Sequence, residues 1–282
     1  MVELSLRSIG NHENVTLHVL TDECNFNEFD NLLKSMKKDF RLYKLQDIDY
    51  HSLITRNSSY EEYGSFDFAR INIMKWKFLT FLMIRLNQNE LIVFSDFDIL
   101  WMKSPLSCFL SNKSTTMAAQ SEWHKIADIN FCTGIISFLN NKDNYQLIRR
   151  IERHHEEMIT TSKTPYFDQQ AFNDYLLQTD NIEYVFKLDP DLFVIGRDIP
   201  HVLRNQFTFD NSVAYHANYL RGEKKKTLVM NLINLAFNHP KLRILISIYI
   251  DLIFLQTTLI RKVRKNLFLR HLLRISYLVI SD

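Results

Sequence analysis

Residues 91–105, LIVFSDFDILWMKSP, decide how this chain is read. Four apolar residues, Leu91 to Phe94, run into Ser95, Asp96, Phe97 and Asp98. A continuous apolar run of this length predicts a strand buried on both faces, as in a parallel sheet. Its C-terminal end carries two carboxylates one residue apart, where open α/β sheets bind ligands. In extended backbone, residues i and i+2 point the same way, so Asp96 and Asp98 can address one target. Two like charges that close repel unless a cation or a shared proton lies between them. Hard divalent ions such as Mg²⁺ and Mn²⁺ take oxygen ligands, commonly one or two carboxylates with phosphate and water completing the shell. The stretch therefore suggests a metal that holds a diphosphate; the plainer reading is a turn with two solvated aspartates. On the metal reading, removing Asp98 is expected to abolish metal-dependent ligand binding without unfolding the chain, because it relieves a repulsion.

Working outward, Phe68–Leu86 precedes the strand as an amphipathic helix, with Ile71, Met74, Phe78, Leu82 and Leu86 near a 3.6-residue period. Residues 2–9 read as a helix stopped by Gly10, 15–20 as a strand, 27–38 as a helix and 40–45 as a strand. Residues 47–64 have no clear period and read as loop with room for a short helix. Downstream, 116–121 and 134–138 read as strands, 144–160 and 168–178 as helices, 184–188 and 213–216 as the last strands. This alternation predicts an α/β fold with a mixed, mostly parallel sheet flanked by helices, spanning 1–228, followed by a helical tail over 229–282.

Composition bounds the function. The chain of 282 residues is 46% hydrophobic and 23% charged, with a net charge of +2, so nothing points to nucleic acid. It contains neither G-x-G-x-x-G nor G-x-x-x-x-G-K-[ST], which argues against dinucleotide-binding and P-loop enzymes. Cys24, Cys108 and Cys132 form neither a disulfide framework nor a zinc pattern. Sequons at Asn14, Asn57 and Asn112 are what chance gives in an Asn-rich chain. Residues 1–10 carry Glu3 and Arg7 and read as neither signal peptide nor transmembrane helix; the expected location is cytoplasmic or peripheral on a membrane. Residues 241–282 hold eight Lys and Arg against Asp251 and Asp282, a net +6, which leaves −4 on the first 240 residues. A basic amphipathic tail on a mildly acidic body suggests an anionic membrane surface as partner; Ile244–Ile260 is short for a transmembrane span.

The stretch SDFDILWMKSP resembles the metal-binding D-x-D segment of glycosyltransferases with the GT-A fold. More narrowly, it is similar to nucleotide-diphospho-sugar transferases, related to the glycogenin-like and lipopolysaccharide galactosyltransferases. Four further elements fall in that family's order: Phe68-Ala69-Arg70-Ile71, Cys132-Thr133-Gly134-Ile135, Asp168-Gln169-Gln170-Ala171-Phe172-Asn173, and His216-Ala217-Asn218 with Gly222 and Lys224–Lys226. Each is weak alone; five in order are specific. The resemblance implies a metal-dependent transferase that moves a sugar from a nucleotide-diphosphate donor to a glycan, lipid or protein acceptor, with retention of configuration. It implies Mn²⁺ or Mg²⁺ on Asp96, Asp98 and His216. Arg70, Gly134, Gly222 and Lys225, with the paired carboxylates, are implied at the donor. Asp168 and Gln169 are implied beside the transferred sugar, as the catalytic positions.

Two features depart from the family pattern. Cys132 stands where the family carries Asn, with Asn130 two residues earlier. Residues 1–9 look like the helix that follows the family's first strand, and VTLHVL like its second strand, so the first strand is expected to be missing and base discrimination weakened. These departures support a competing reading, a non-catalytic GT-A relative that acts in binding. A haloacid-dehalogenase-type phosphatase also places its nucleophile in an apolar-run D-x-D, but Ile99 stands where that superfamily has Thr or Val.

Overall fold

A computed structural model describes residues 1–10, 12, 15–48, 65–110, 117–122, 130–220 and 222–265. The asparagines of the three sequons and most of the 47–64 loop lie outside the described residues. In chain order the elements are α1 (Val2–Gly10), β1 (Leu17–Thr21), α2 (Phe26–Ser35), β2 (Phe40–Lys44), α3 (Phe66–Asn72), α4 (Met74–Arg85), β3 (Leu91–Ser95), β4 (Ile99–Trp101), α5 (Leu106–Leu110), β5 (Met117–Ser121) and β6 (Phe131–Leu139). Then follow α6 (Lys142–Thr161), α7 (Asp168–Gln178), β7 (Val185–Leu188), β8 (Phe193–Ile195), α8 (Ile199–Arg204), α9 (Gln206–Asn211), β9 (Ala214–His216), α10 (Glu223–Asn238) and α11 (Arg243–Lys265).

The expected α/β architecture is present, built among the described residues on three small sheets: β1-β2, β3-β6-β5-β7 and β4-β9-β8. The sheet system is mixed, but the balance differs from the mostly parallel expectation. Among the described pairings β1–β2, β5–β7 and β8–β9 are parallel, and β3–β6, β5–β6 and β4–β9 antiparallel. The apolar run at Leu91–Phe94 is part of this difference. It pairs antiparallel with β6 at one side of its sheet, and only Ile92 is fully buried. Its apolar residues serve separate packing clusters, Ile92 and Phe94 in one and Leu91 and Val93 in another.

The helix read over 68–86 is two helices. Ser65 caps the first by accepting from Phe68 N at 3.0 Å. The break falls at Ile73, wholly buried, after Ile71 and Asn72, both modest helix formers. Asn140 closes the far end of α4, its amide donating to the carbonyls of Met83, Leu86 and Asn87 at 3.0–3.1 Å. One core lies between α4, α6, α7 and the four-stranded sheet, centred on Trp76 stacked on Phe172. A second joins Leu100, Val194 and Tyr215 of the three-stranded sheet to Val229, Ile233 and Ile250 of α10 and α11. Position 228, the expected domain limit, falls inside α10.

The chain crosses from the four-stranded to the three-stranded sheet at Asp96-Phe97-Asp98, so this turn is where the two sheets meet. Backbone bonds stitch it to both: Asp96 N donates to Gly134 O at 2.9 Å, and Ala217 N donates to Asp98 O at 2.8 Å.

Candidate active site

Asp96, Asp98 and His216 each offer a ligand atom, and the three atoms lie within 4.8 Å of one another. The two aspartates converge from a turn, not from the extended segment expected. His216 ends β9, whose register places it opposite Ile99, directly after the turn. Its Nε2 lies 3.1 Å from Asp98 Oδ1. The second oxygen of Asp98 accepts from Lys226 Nζ at 2.5 Å.

The imidazole is held in one orientation. Gln120, on β5 and fully buried, donates its amide to Phe193 O at 3.1 Å, which turns its Oε1 toward His216 Nδ1 at 2.9 Å. An acceptor there keeps the proton on Nδ1 and presents Nε2 to the carboxylates, as a metal-ligating histidine requires. Beneath the ring lies Gly134, where a methyl group would collide with the imidazole. Gly134→Ala is expected to displace His216 and destabilise the fold by about 1–3 kcal/mol through overpacking. Its Mn²⁺ affinity should fall further than that of a core variant of equal stability; equal affinities would remove Gly134 from the site.

The charges set the protonation. Burial would lower the His216 imidazole, but Asp98 beside it wins and pushes it up to about 10. Burial would raise the Asp98 carboxyl; the His216 and Lys226 cations outweigh it and hold it well below the usual carboxylate range. Asp96 is pushed up, first by desolvation and then by Asp98, against the pull of Lys75. Its side chain is still 37% exposed, so cleft water tempers that desolvation.

Lys75, the buried partner of Asp168, has no counterpart among the expected site residues. Lys75, in the first turn of α4, looks in sequence like one of two surface lysines around Trp76. In the fold it is buried. Its ammonium pairs with Asp168 Oδ2, donates to Thr133 O at 2.9 Å, lies 3.5 Å from Asp96 Oδ1 and sits over the Phe94 ring. Asp168, the first residue of α7, also accepts from Thr133 Oγ1 at 2.6 Å. Burial would raise this carboxyl; Lys75 and Thr133 hold it below its ordinary value. The helical period of α4 gives no hint that one lysine turns inward.

The remaining expected residues fall in different places. Gln169 lies beside Asp168 and donates to Asn130 Oδ1 at 3.4 Å. Asn130 thus faces Gln169, while Cys132 Sγ lies 3.6 Å from His216 Nδ1. Gly222, with φ of 85°, starts α10 in a conformation other residues rarely adopt. That start sets the helical phase which brings Lys226, rather than Lys225, onto Asp98. Arg70 is exposed on α3 in a pair with Asp67 at 3.4 Å, with no bond to Asp96 or Asp98.

Solved structures share this architecture. Mouse xyloside xylosyltransferase 1 superposes with a TM-score of 0.52 at 10% identity, over 77% of this chain and 91% of that one. The galactosyltransferase LgtC, solved with donor and acceptor sugar analogs, gives 0.51 at 12% identity over 82% and 90%. At such identities the likeness defines the fold, that of the GT-A glycosyltransferases. The sequence itself carries the closer assignment: residues 35–230 match the model of the nucleotide-diphospho-sugar transferases, and the chain belongs to that family. No curated protein matches the chain.

Proposed function

We propose that this protein transfers a sugar from a nucleotide-diphosphate donor to a glycan, lipid or protein acceptor with retention of configuration, using Mn²⁺ or Mg²⁺ held by Asp96, Asp98 and His216. The observation that carries the reading is the convergence of two carboxylates and an imidazole at the junction of two sheets. The donor set fits a divalent cation: two hard oxygen ligands and a nitrogen whose tautomer Gln120 fixes. A divalent cation there would neutralise charge gathering on the diphosphate leaving group. Lys226, now on Asp98, stands ready to turn to a phosphate oxygen as a point charge. Asp168, kept ionised by Lys75, accepts hydrogen bonds from sugar hydroxyls in this reading, and Gln169 beside it positions donor or acceptor. The basic tail is read as a peripheral contact with an anionic membrane surface.

Metal uptake must displace the proton that Asp98 holds on His216. Mn²⁺ affinity should therefore rise about tenfold per pH unit from neutrality toward pH 10, where the imidazolium gives up its proton. Calorimetry in buffers of different ionisation enthalpy should show proton release; affinity flat across that range would exclude His216 as a ligand.

One observation favours the second reading, a binding protein without catalysis: Lys226 and His216 already engage both oxygens of Asp98. Hydrolysis of a panel of purine and pyrimidine nucleotide sugars with Mn²⁺ decides between them. Mn²⁺-dependent release of nucleotide diphosphate supports the transferase, and the anomer of the sugar transferred tests retention. Binding without turnover across the panel would establish the alternative.

A further inference from the structure

Helix α11 is apolar on two faces. Ile246, Ile250 and Ile253 are buried in the core shared with α8 and α10, and Ser247 Oγ donates to Pro200 O at 2.9 Å. Away from that core, Leu245, Ile248, Tyr249, Leu252 and Leu255 are each 48–66% exposed. Spacings of three and four residues line them up in one stripe along the helix. A contiguous exposed apolar stripe of this kind marks an interaction surface. Asp251, the acidic residue within this stretch, is paired with Arg204 of α8.

We propose that this stripe inserts into the headgroup boundary of an anionic membrane, with the axis of α11 in the membrane plane. Charge selects the occupant. The stripe belongs to a segment, 241–282, with eight Lys and Arg against two Asp. A second copy of the chain would bring +6 against +6, whereas anionic headgroups are complementary. The buried isoleucines select the orientation. They bind one face of α11 to the body, so lipid can reach only the other, and among the described residues no helix is long and apolar enough to cross a membrane. The proposal rests on the tail being membrane-facing and adds an apolar anchor to what its charges alone would give, which is adsorption that salt reverses.

The test uses the full chain and sedimentable phosphatidylcholine vesicles with and without phosphatidylglycerol, at low and high salt. The wild-type protein should partition onto the anionic vesicles and keep part of that binding at high salt. Ile248→Asn/Leu252→Asn, at exposed positions and charge-neutral, should keep the melting temperature and lose at least about tenfold in partitioning at both salt levels. Tyr249→Trp, in the otherwise native chain, should be quenched by brominated acyl chains. If salt strips wild type and double variant alike with equal affinities, the bases alone bind; the tail reading stands and this proposal fails. Absence of vesicle binding by the wild type removes both. An unquenched indole, or a solution dimer that the double variant disperses, gives the stripe to another occupant and overturns the proposal.

Discussion

Asp98→Ala is expected to destabilise the metal-free protein by about 3 kcal/mol near pH 6, and to cut donor turnover by about 10²–10³. The D-x-D spacing alone argues the opposite for stability, since deleting one of two repelling carboxylates relieves them. The fold reverses the sign. Asp98 is bonded by His216 on one oxygen and by Lys226 on the other. His216 is 4% exposed, so its charge has no other recourse. The pH dependence follows from the two shifts. The depressed Asp98 carboxyl contributes stability that is present above its unfolded value and lost as pH falls through the folded one. The raised His216 imidazole contributes stability that is complete below its unfolded value and lost as pH rises toward 10. The gap between wild type and Asp98→Ala should be widest near pH 5–6 and shrink by pH 9, leaving the share due to Lys226. Urea unfolding of both proteins without metal, at several pH values, measures this. A gap that widens with alkalinity, or an alanine variant as stable as wild type, would refute the pairing.

The same cluster shows why part of the site was legible in sequence and part was not. Asp96, Asp98, His216 and Asp168 sit at ends of elements, where polar residues interrupt apolar patterns and so announce themselves. Gln120 lies in a strand buried throughout, and Thr133 in one buried at every position but its last. There an alternation signal does not exist, and a polar residue is indistinguishable from one satisfied in the core. Lys75 is hidden because a helix tolerates lysine on any face until tertiary packing decides which face is inside. The choice among Lys224, Lys225 and Lys226 depends on where α10 begins, and that is set by the positive φ of Gly222. Strands β4 and β8 have three residues each, too few to show a period. They nevertheless build the sheet that carries His216. The expectation of a strand buried on both faces at 91–94 failed because an antiparallel partner can feed a turn between two sheets as readily as a parallel one. The apolar run reports burial in general, not the direction of its neighbour.

Lys75→Met should have the largest effect outside the Asp96, Asp98 and His216 cluster: a loss of about 3–5 kcal/mol at neutral pH, with donor turnover reduced by about 10²-fold in whatever remains folded. The ammonium joins Asp168 to Asp96 from a buried position, 8% exposed, and among the described residues no other cation is bonded to Asp168. Methionine keeps most of the length and the apolar stem but strands the Asp168 carboxylate, which is 12% exposed. Burial, now unopposed, must push that carboxyl above its ordinary value instead of below it. The sign of its linkage then inverts. In the wild type the depressed Asp168 favours folding at every pH above its unfolded value. In the variant a raised Asp168 penalises folding in full above its new pKa, and the penalty fades as pH falls from there to the unfolded value. The deficit should therefore be large at pH 7.5 and narrow toward pH 5, the reverse of a simple packing defect, which is indifferent to pH. Lys75→Arg keeps the charge and should recover most of the stability, though less of the turnover, because the guanidinium cannot occupy a point between two carboxylates and a carbonyl. Melting temperatures of the three proteins at pH 5 and 7.5 are the measurement. A methionine variant whose deficit is the same at both values would show that Lys75 packs rather than neutralises, and that Asp168 is held ionised by something else.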